Sequence, residues 1–171
     1  MLQDWAVNAS RLESQLILAW FRVAQWAAAR WGRVARLIVS PYWLTCSLLF
    51  GVELPATARI GPRLRLYHPH GVVLSPGCTL GSDCHLRHNV TIGNRVDRNG
   101  NEGGWPTLGD DVELGAGCAV IGDLDVGDHA RIGALAVVVK SVPAWAVVVG
   151  NPGRVIRIDE PRAGPQPNVS R

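Results

Sequence analysis

Between residues 54 and 138 the apolar positions recur every six residues. Aliphatic side chains stand at Leu54, Ile60 and Leu66, and then, after a slip of two residues, at Leu74, Leu80, Leu86 and Ile92. Beyond an interruption they resume at Leu108, Leu114, Val120, Val126, Ile132 and Val138. A second small or apolar residue follows most of them four positions later, at Ala58, Leu64, Cys78, Cys84, Val90, Val112, Cys118, Leu124, Ala130 and Ala136. Neither a helix, with a period of about 3.6, nor an ordinary strand, with a period of about 2, makes this spacing; a solenoid of six-residue rungs does. Each rung is predicted to be a short strand and a turn. Three rungs close one flat-sided coil, with the aliphatic residue on the axis and the core continuous from coil to coil. The glycine that often follows the aliphatic, as in Ile60-Gly61, Leu80-Gly81 and Leu108-Gly109, suits a turn residue of positive φ.

Ahead of the repeat, residues 10–39 read as one helix, capped by Ser10 and stopped by Pro41. At the helical period Arg11, Arg22, Arg33 and Arg36 form a stripe, with Arg30 at its edge. Leu16, Trp20, Val23, Ala27, Trp31, Val34 and Ile38 form the opposite face. Arginine interrupts each apolar run before it is long enough to span a bilayer, and no apolar core leads to a cleavage site. Two readings of the arm stand. Its apolar face packs on the prism or on sister subunits, or its Trp, Leu and Arg side chains lie on an anionic membrane surface.

Composition narrows the rest. The 171 residues suit one domain and an appendage, divided here as a helical arm (1–50), a β-helix (51–158) carrying a loop (94–107), and a disordered tail (159–171). A net charge of +3 with no aromatic-interleaved basic strand gives no reason to expect nucleic acid. Three of the four cysteines, Cys78, Cys84 and Cys118, occupy small inward slots, where a thiol behaves as a compact hydrophobe; no disulfide or metal site is expected, and a reducing cytoplasm fits.

This pattern resembles the left-handed parallel β-helix of the hexapeptide-repeat acyltransferases, over residues 52–158. The slip falls in Leu66-Tyr67-His68-Pro69-His70-Gly71-Val72-Val73-Leu74. There the chain is similar to the serine acetyltransferase branch, including its relatives that acetylate cell-surface polysaccharides. Those enzymes carry a histidine three residues before a Gly-Ile-Val-type run, the place of His68. The resemblance implies that His68 is the general base for the acceptor hydroxyl, chemistry an imidazole suits because it titrates near neutral pH. It also implies an acidic partner fifteen positions earlier, at Glu53, where serine acetyltransferases carry aspartate. His88, in Leu86-Arg87-His88-Asn89-Val90-Thr91-Ile92-Gly93, falls where the family lines its cleft, and His70 is a further acceptor contact. His85 and His129 stand at outward rung positions and are expected to be solvated.

Loop 94–107 leaves the six-residue count, and its Asn-Gly and Gly-Gly pairs predict a mobile projection. In the resemblance it reaches over a cleft between subunits. Serine acetyltransferases end it with an Arg-His pair before Pro that binds serine. Here the place reads Gly104-Trp105-Pro106, and Trp105 suits a sugar face, so a saccharide hydroxyl is the preferred acceptor and serine the alternative. On the donor side, Gly115, Ala116, Gly133 and Ala134 match turns along which the family lays the pantetheine arm of acetyl-CoA. In Val149-Gly150-Asn151-Pro152-Gly153-Arg154, similar to the family's closing Gly-x-Pro-Ala-Arg/Lys, the resemblance implies that Asn151, Pro152 and Arg154 contact the coenzyme, with Arg154 at its phosphates; Lys140 is a second phosphate contact.

The resulting expectation is a cytoplasmic O-acetyltransferase, peripheral at the membrane if the arm binds lipid. It is a homotrimer with sites between subunits, using acetyl-CoA and no metal. A zinc hydratase and a non-catalytic subunit on the same prism are the competing classes.

Overall fold

The computed structural model describes residues 2–159. Three parallel sheets form the sides of a left-handed β-helix. The first face stacks strands Arg59–Ile60, Thr79–Leu80, Thr107–Leu108 and Asp125–Val126. The second stacks Arg65–Tyr67, His85–Arg87, Glu113–Leu114 and Arg131–Ile132, and is closed by the antiparallel pair Ala146–Val149 and Arg154–Ile158. The third stacks Val73–Leu74, Thr91–Gly93, Ala119–Ile121 and Val137–Val138.

The thirteen periodic aliphatics are at most 7% exposed, and the residues expected in the second inward slot are at most 4% exposed. They form a single core. All four cysteines are free and buried. Burial pushes the Cys78 and Cys84 thiols up to about 11 and Cys118 to about 12, so they contribute packing rather than thiolate chemistry.

The glycines after the aliphatics have a different cause from the one the pattern suggested. The non-glycine residues of positive φ sit two positions later, at Arg63, Asp83, Asp111 and His129. At Gly61 an added Cβ would lie 2.5 Å from the Gly81 carbonyl oxygen, and at Gly115 it would lie 2.5 Å from the Ala134 nitrogen. Close approach of the next coil, not a left-handed backbone, requires glycine there.

The arm departs further from expectation. Helix α1 (Leu12–Arg30) ends before a 3-10 turn (Gly32–Ala35), and helix α2 (Arg36–Phe50) follows with Pro41 inside it. Gly32, at φ 49°, makes the break. Ser10 does not cap; Arg11 holds that position without a side-chain bond. The face expected to pack is largely wrong. Of its residues only Ala27 is fully buried, beside Ile17, Leu18, Phe21, Ala24 and Arg22, whereas Leu16, Trp20, Trp31 and Val34 are exposed.

Polar groups explain this choice. The first coil of a solenoid has no coil below it, so its backbone groups need other partners. The arm supplies them. Asn8 Nδ2 donates to the Leu64 carbonyl (2.8 Å) and Asn8 Oδ1 accepts from Leu66 N–H (3.0 Å). Ser14 donates to Leu66 O (2.9 Å), Gln25 to Ala58 O (2.9 Å) and Tyr42 to Leu54 O (2.8 Å). Arg22 donates to Ile60 O (2.8 Å) and Gly61 O (2.6 Å).

Candidate active site

Two extra residues enlarge the first turn between the second and third faces. The equivalent turns above it each hold one left-handed residue, Asn89, Gly117 or Leu135; this one holds two, His68 (φ 55°) and Gly71 (φ 65°). His70 N–H closes back on the His68 carbonyl at 2.7 Å, and Gly71 N–H bonds Phe50 O at 3.2 Å, tying the bulge to the end of α2. His68 is thereby lifted out of the rung and exposed. A non-glycine residue in this conformation costs about 1–2 kcal/mol, and such outliers concentrate at functional positions.

Gly71 is constrained twice, by its positive φ and by Asn89, whose Oδ1 lies 2.2 Å from where a Cβ would stand. Gly71→Ala is expected to lower stability by roughly 1–3 kcal/mol, read from the urea midpoint, and to disturb His68 before the distant rungs. A variant as stable as the parent would show that the bulge is not set this way.

A ladder of hydrogen bonds runs up this edge. Asn89 N–H bonds His70 O (2.8 Å), Gly117 N–H bonds His88 O (3.0 Å), Leu135 N–H bonds Ala116 O (2.9 Å) and Val137 N–H bonds Gly150 O (3.0 Å). His68, His70, His88, Ala116, Ala134 and the turn through Asn151, Pro152 and Arg154 are therefore stacked along one corner of the prism. At about 4.8 Å per coil, the run from His68 to Arg154 is roughly 20 Å. The rings of His68 and His88 meet edge to face with centroids 6.3 Å apart.

Gly115, Ala116, Gly133 and Ala134 line one groove of about 670 Å³ beside this corner, with Tyr67, His85, Arg87 and Arg131. Tyr67 was not anticipated, although it precedes His68 directly. The Arg11 guanidinium lies 4.3 Å from its ring centroid and that of Arg87 5.1 Å. His85, expected to be solvated, has a side chain 18% exposed and is paired with Arg65. Burial and then the Arg65 charge hold its pKa below the ordinary imidazole value. His129 stacks on Trp145 at 4.0 Å and bonds Asp111 at 3.0 Å rather than standing free.

Other candidates sit elsewhere. Glu53 bridges to Val73 at the foot of the third face, and among the described residues its side chain makes no hydrogen bond or ion pair with His68. His70 turns down toward the arm, its Nε2 3.8 Å from Glu13 Oε2. Arg154 is exposed, with a bond of 3.2 Å to Gly153 O. Trp105 and Lys140 lie on the far edge of the third face, away from His68. The Trp105 indole covers Gly77, where a Cβ would come within 2.2 Å of the ring.

Loop 94–107 is a tight hairpin rather than a shapeless projection. Val96 bridges Glu102, and Asp97 Oδ1 accepts from Asn99 N–H (2.8 Å) and Asn101 N–H (2.9 Å). The Asn101 side chain first, and then these backbone donors, hold the Asp97 carboxyl below the usual carboxylate range. The outer surface of the third face, between the two edges, carries Val73, Ala119, Ile121, Val137 and the half-exposed Val139.

Among the described residues no three His, Cys, Asp or Glu side chains converge as a metal site would need. No protein-family model matches the chain. Curated proteins and solved structures do. The serine acetyltransferase of Mycobacterium tuberculosis is 42% identical over 145 residues, 84% of this chain and 60% of that protein. The crystal structure of the Neisseria gonorrhoeae serine acetyltransferase superposes with a TM-score of 0.75 at 31% identity, covering 87% of this chain and 56% of that one. A serine acetyltransferase in complex with CoA does so with a TM-score of 0.71 at 25% identity, over 83% of this chain and 56% of its own. The chain thus spans rather more than half the length of the relatives it matches.

Proposed function

We propose, because the chain belongs to the serine acetyltransferase-like branch of the hexapeptide-repeat, left-handed β-helix family, that it is an acetyl-CoA-dependent O-acetyltransferase with serine as its acceptor. The observation that carries this reading is the single edge on which the bulged His68, His88, the small-residue turns and Arg154 are stacked. Acetyl-CoA would supply an activated thioester, held along Gly115, Ala116, Gly133 and Ala134 with Arg154 toward its phosphates.

The chain's own residues then have defined tasks. His68, exposed on its bulge, accepts the proton of the acceptor hydroxyl as that oxygen attacks, which makes an otherwise weak nucleophile competent at neutral pH. Glu53, below Val73 on the third face, favours the charged imidazolium through space. No covalent acyl-enzyme is required: the hydroxyl oxygen would bond the thioester carbonyl carbon as the C–S bond breaks, and the departing coenzyme A thiolate would take the proton that His68 holds.

A homotrimer with sites between subunits is part of this reading. The third face, with Val73, Ala119, Ile121 and Val137 around Thr91 on its outer side, is suited to cover by another protomer, and it separates the His68 edge from the edge bearing Trp105 and the hairpin. Packing one protomer's His68 edge against the next protomer's hairpin edge would bring Trp105 and Lys140 to the site they lack within one chain.

A saccharide hydroxyl is the second reading, favoured by Gly104-Trp105-Pro106, where an indole 39% exposed stands in place of polar acceptor contacts. Free-thiol release from acetyl-CoA should be measured against L-serine and against a panel of nucleotide sugars. Release that depends on serine supports the first reading, and release that depends on a sugar alone transfers the assignment to the second. No release with any hydroxyl acceptor would remove both.

A further inference from the structure

We infer that the outer face of α2, with the arginine corner that precedes it, docks on an anionic lipid surface. Helix α2 is apolar over most of its circumference, with Arg36, Ser40 and Ser47 on one narrow stripe. Its inner face buries Tyr42 and Cys46 on the first coil, while its outer stripe leaves Leu37 78%, Leu44 51% and Leu48 74% exposed, flanked by Trp43 at 49% and Leu49 at 68%. An exposed apolar stripe this broad is covered by protein or by lipid. Trp31 and Val34 extend the patch across the 3-10 turn.

Charge selects between these covers. Between Glu13 and Glu53 the sequence holds no carboxylate. Arg22 is spent internally, but Arg30, Arg33 and Arg36 are exposed, and among the described residues none has an ion-pair partner; Arg30 lies over Trp26 at 5.5 Å. A symmetric contact with a second copy would face this patch with itself, bringing guanidinium groups together with no acid to neutralise them. Anionic headgroups neutralise them directly, while leucine and tryptophan enter the acyl boundary and the arginine stems reach back to the headgroup level.

The geometry sets the mode of contact. Helix α2 has 15 residues, about 22 Å, and no helix among the described residues is long and apolar enough to cross a membrane. It therefore lies in the interface plane with the prism standing on it. Because Phe50 O bonds Gly71 N–H, the bulge that carries His68 rests directly on the C-terminal end of the lipid-facing helix.

The test is co-sedimentation of the full chain with vesicles of phosphatidylcholine alone and with about one-third phosphatidylglycerol. Binding is expected on the anionic vesicles, at least tenfold weaker on the neutral ones, and weakened by raised salt. Arg33→Gln with Arg36→Gln should weaken it roughly 25-fold, about fivefold for each charge, with an unchanged circular dichroism spectrum. Leu44→Ser with Leu48→Ser should remove binding to both. Equal binding to neutral and anionic vesicles, or none to either, would overturn the proposal. So would a Leu44→Ser, Leu48→Ser variant that sediments as a smaller oligomer with vesicle binding intact, since the face would then be a contact between copies.

Discussion

Replacing His68 with alanine is expected to lower kcat by about 10²–10⁴-fold while coenzyme A still binds with parental affinity. The asymmetry follows from where the groups lie. The small-residue turns of the groove, Gly115, Ala116, Gly133 and Ala134, lie on the upper coils and Arg154 closes the top of the edge, whereas His68 stands on the lowest bulge, beyond the groove's lower end at Tyr67. Truncating its ring removes a proton acceptor from a solvent-facing turn, leaves the core intact and should leave the urea midpoint within about 0.5 kcal/mol of the parent. His88→Ala is the informative companion. Its ring contacts His68 at 6.3 Å edge to face, so it should lower turnover less than His68→Ala and act chiefly on the acceptor KM. Equilibrium binding of coenzyme A by calorimetry and steady-state thiol release separate the two effects. Parental turnover in His68→Ala would remove the proposed base, whatever the acceptor proves to be.

The prism was legible because its rule is strict. Each inward position must be small or aliphatic, and thirteen rungs repeat the requirement, so the core could be written down residue by residue before any coordinates. The candidate site was legible where the rule fails. The two-residue slip at residues 67–73 marks the one enlarged turn of that edge, and His68 is its lifted residue. What could not be read was anything decided by non-periodic partners. Periodicity put Arg22 on a solvent stripe, since nothing local reveals that the carbonyls of Ile60 and Gly61 await a donor. Both faces of the arm carry apolar residues, so the helical period alone could not choose which one packs. His70 was grouped with His68 by proximity in sequence, yet the turn sends it toward Glu13 on another element. The glycines were placed correctly for a wrong reason, because coil-to-coil approach is a property of the stack and not of one rung.

Arg22 carries the other large expected effect. Its guanidinium is buried, with side-chain exposures of 4% for Arg22 and 3% for Asp4, and it forms a two-pronged pair with Asp4 at 2.7 and 3.1 Å. The same group donates to Gln25 Oε1 (2.9 Å), Ile60 O and Gly61 O, while Asp4 Oδ1 also accepts from Leu64 N–H (2.9 Å). Arg22→Ala leaves a carboxylate out of water with no counter-charge and strips two carbonyls of the open first coil of their donor. Breaking such a pair from one side costs about 3–5 kcal/mol, well above the 0–1 kcal/mol typical of exposed pairs. Arg22→Lys should recover less than half of the loss, because an ammonium has no planar fork to serve Asp4 and the two carbonyls together. Asp4→Asn should also be costly, since the amide oxygen can still accept from Leu64 N–H and Arg22 but the amide nitrogen would meet the Arg22 Nε–H donor and leave the guanidinium without a counter-charge. Urea midpoints that place Arg22→Ala below Arg22→Lys, and both well below the parent, would establish the arm as the cap of the open coil. An Arg22→Ala cost below about 1 kcal/mol would mean the first coil satisfies its own edge, and the choice of buried face on α1 would need another cause.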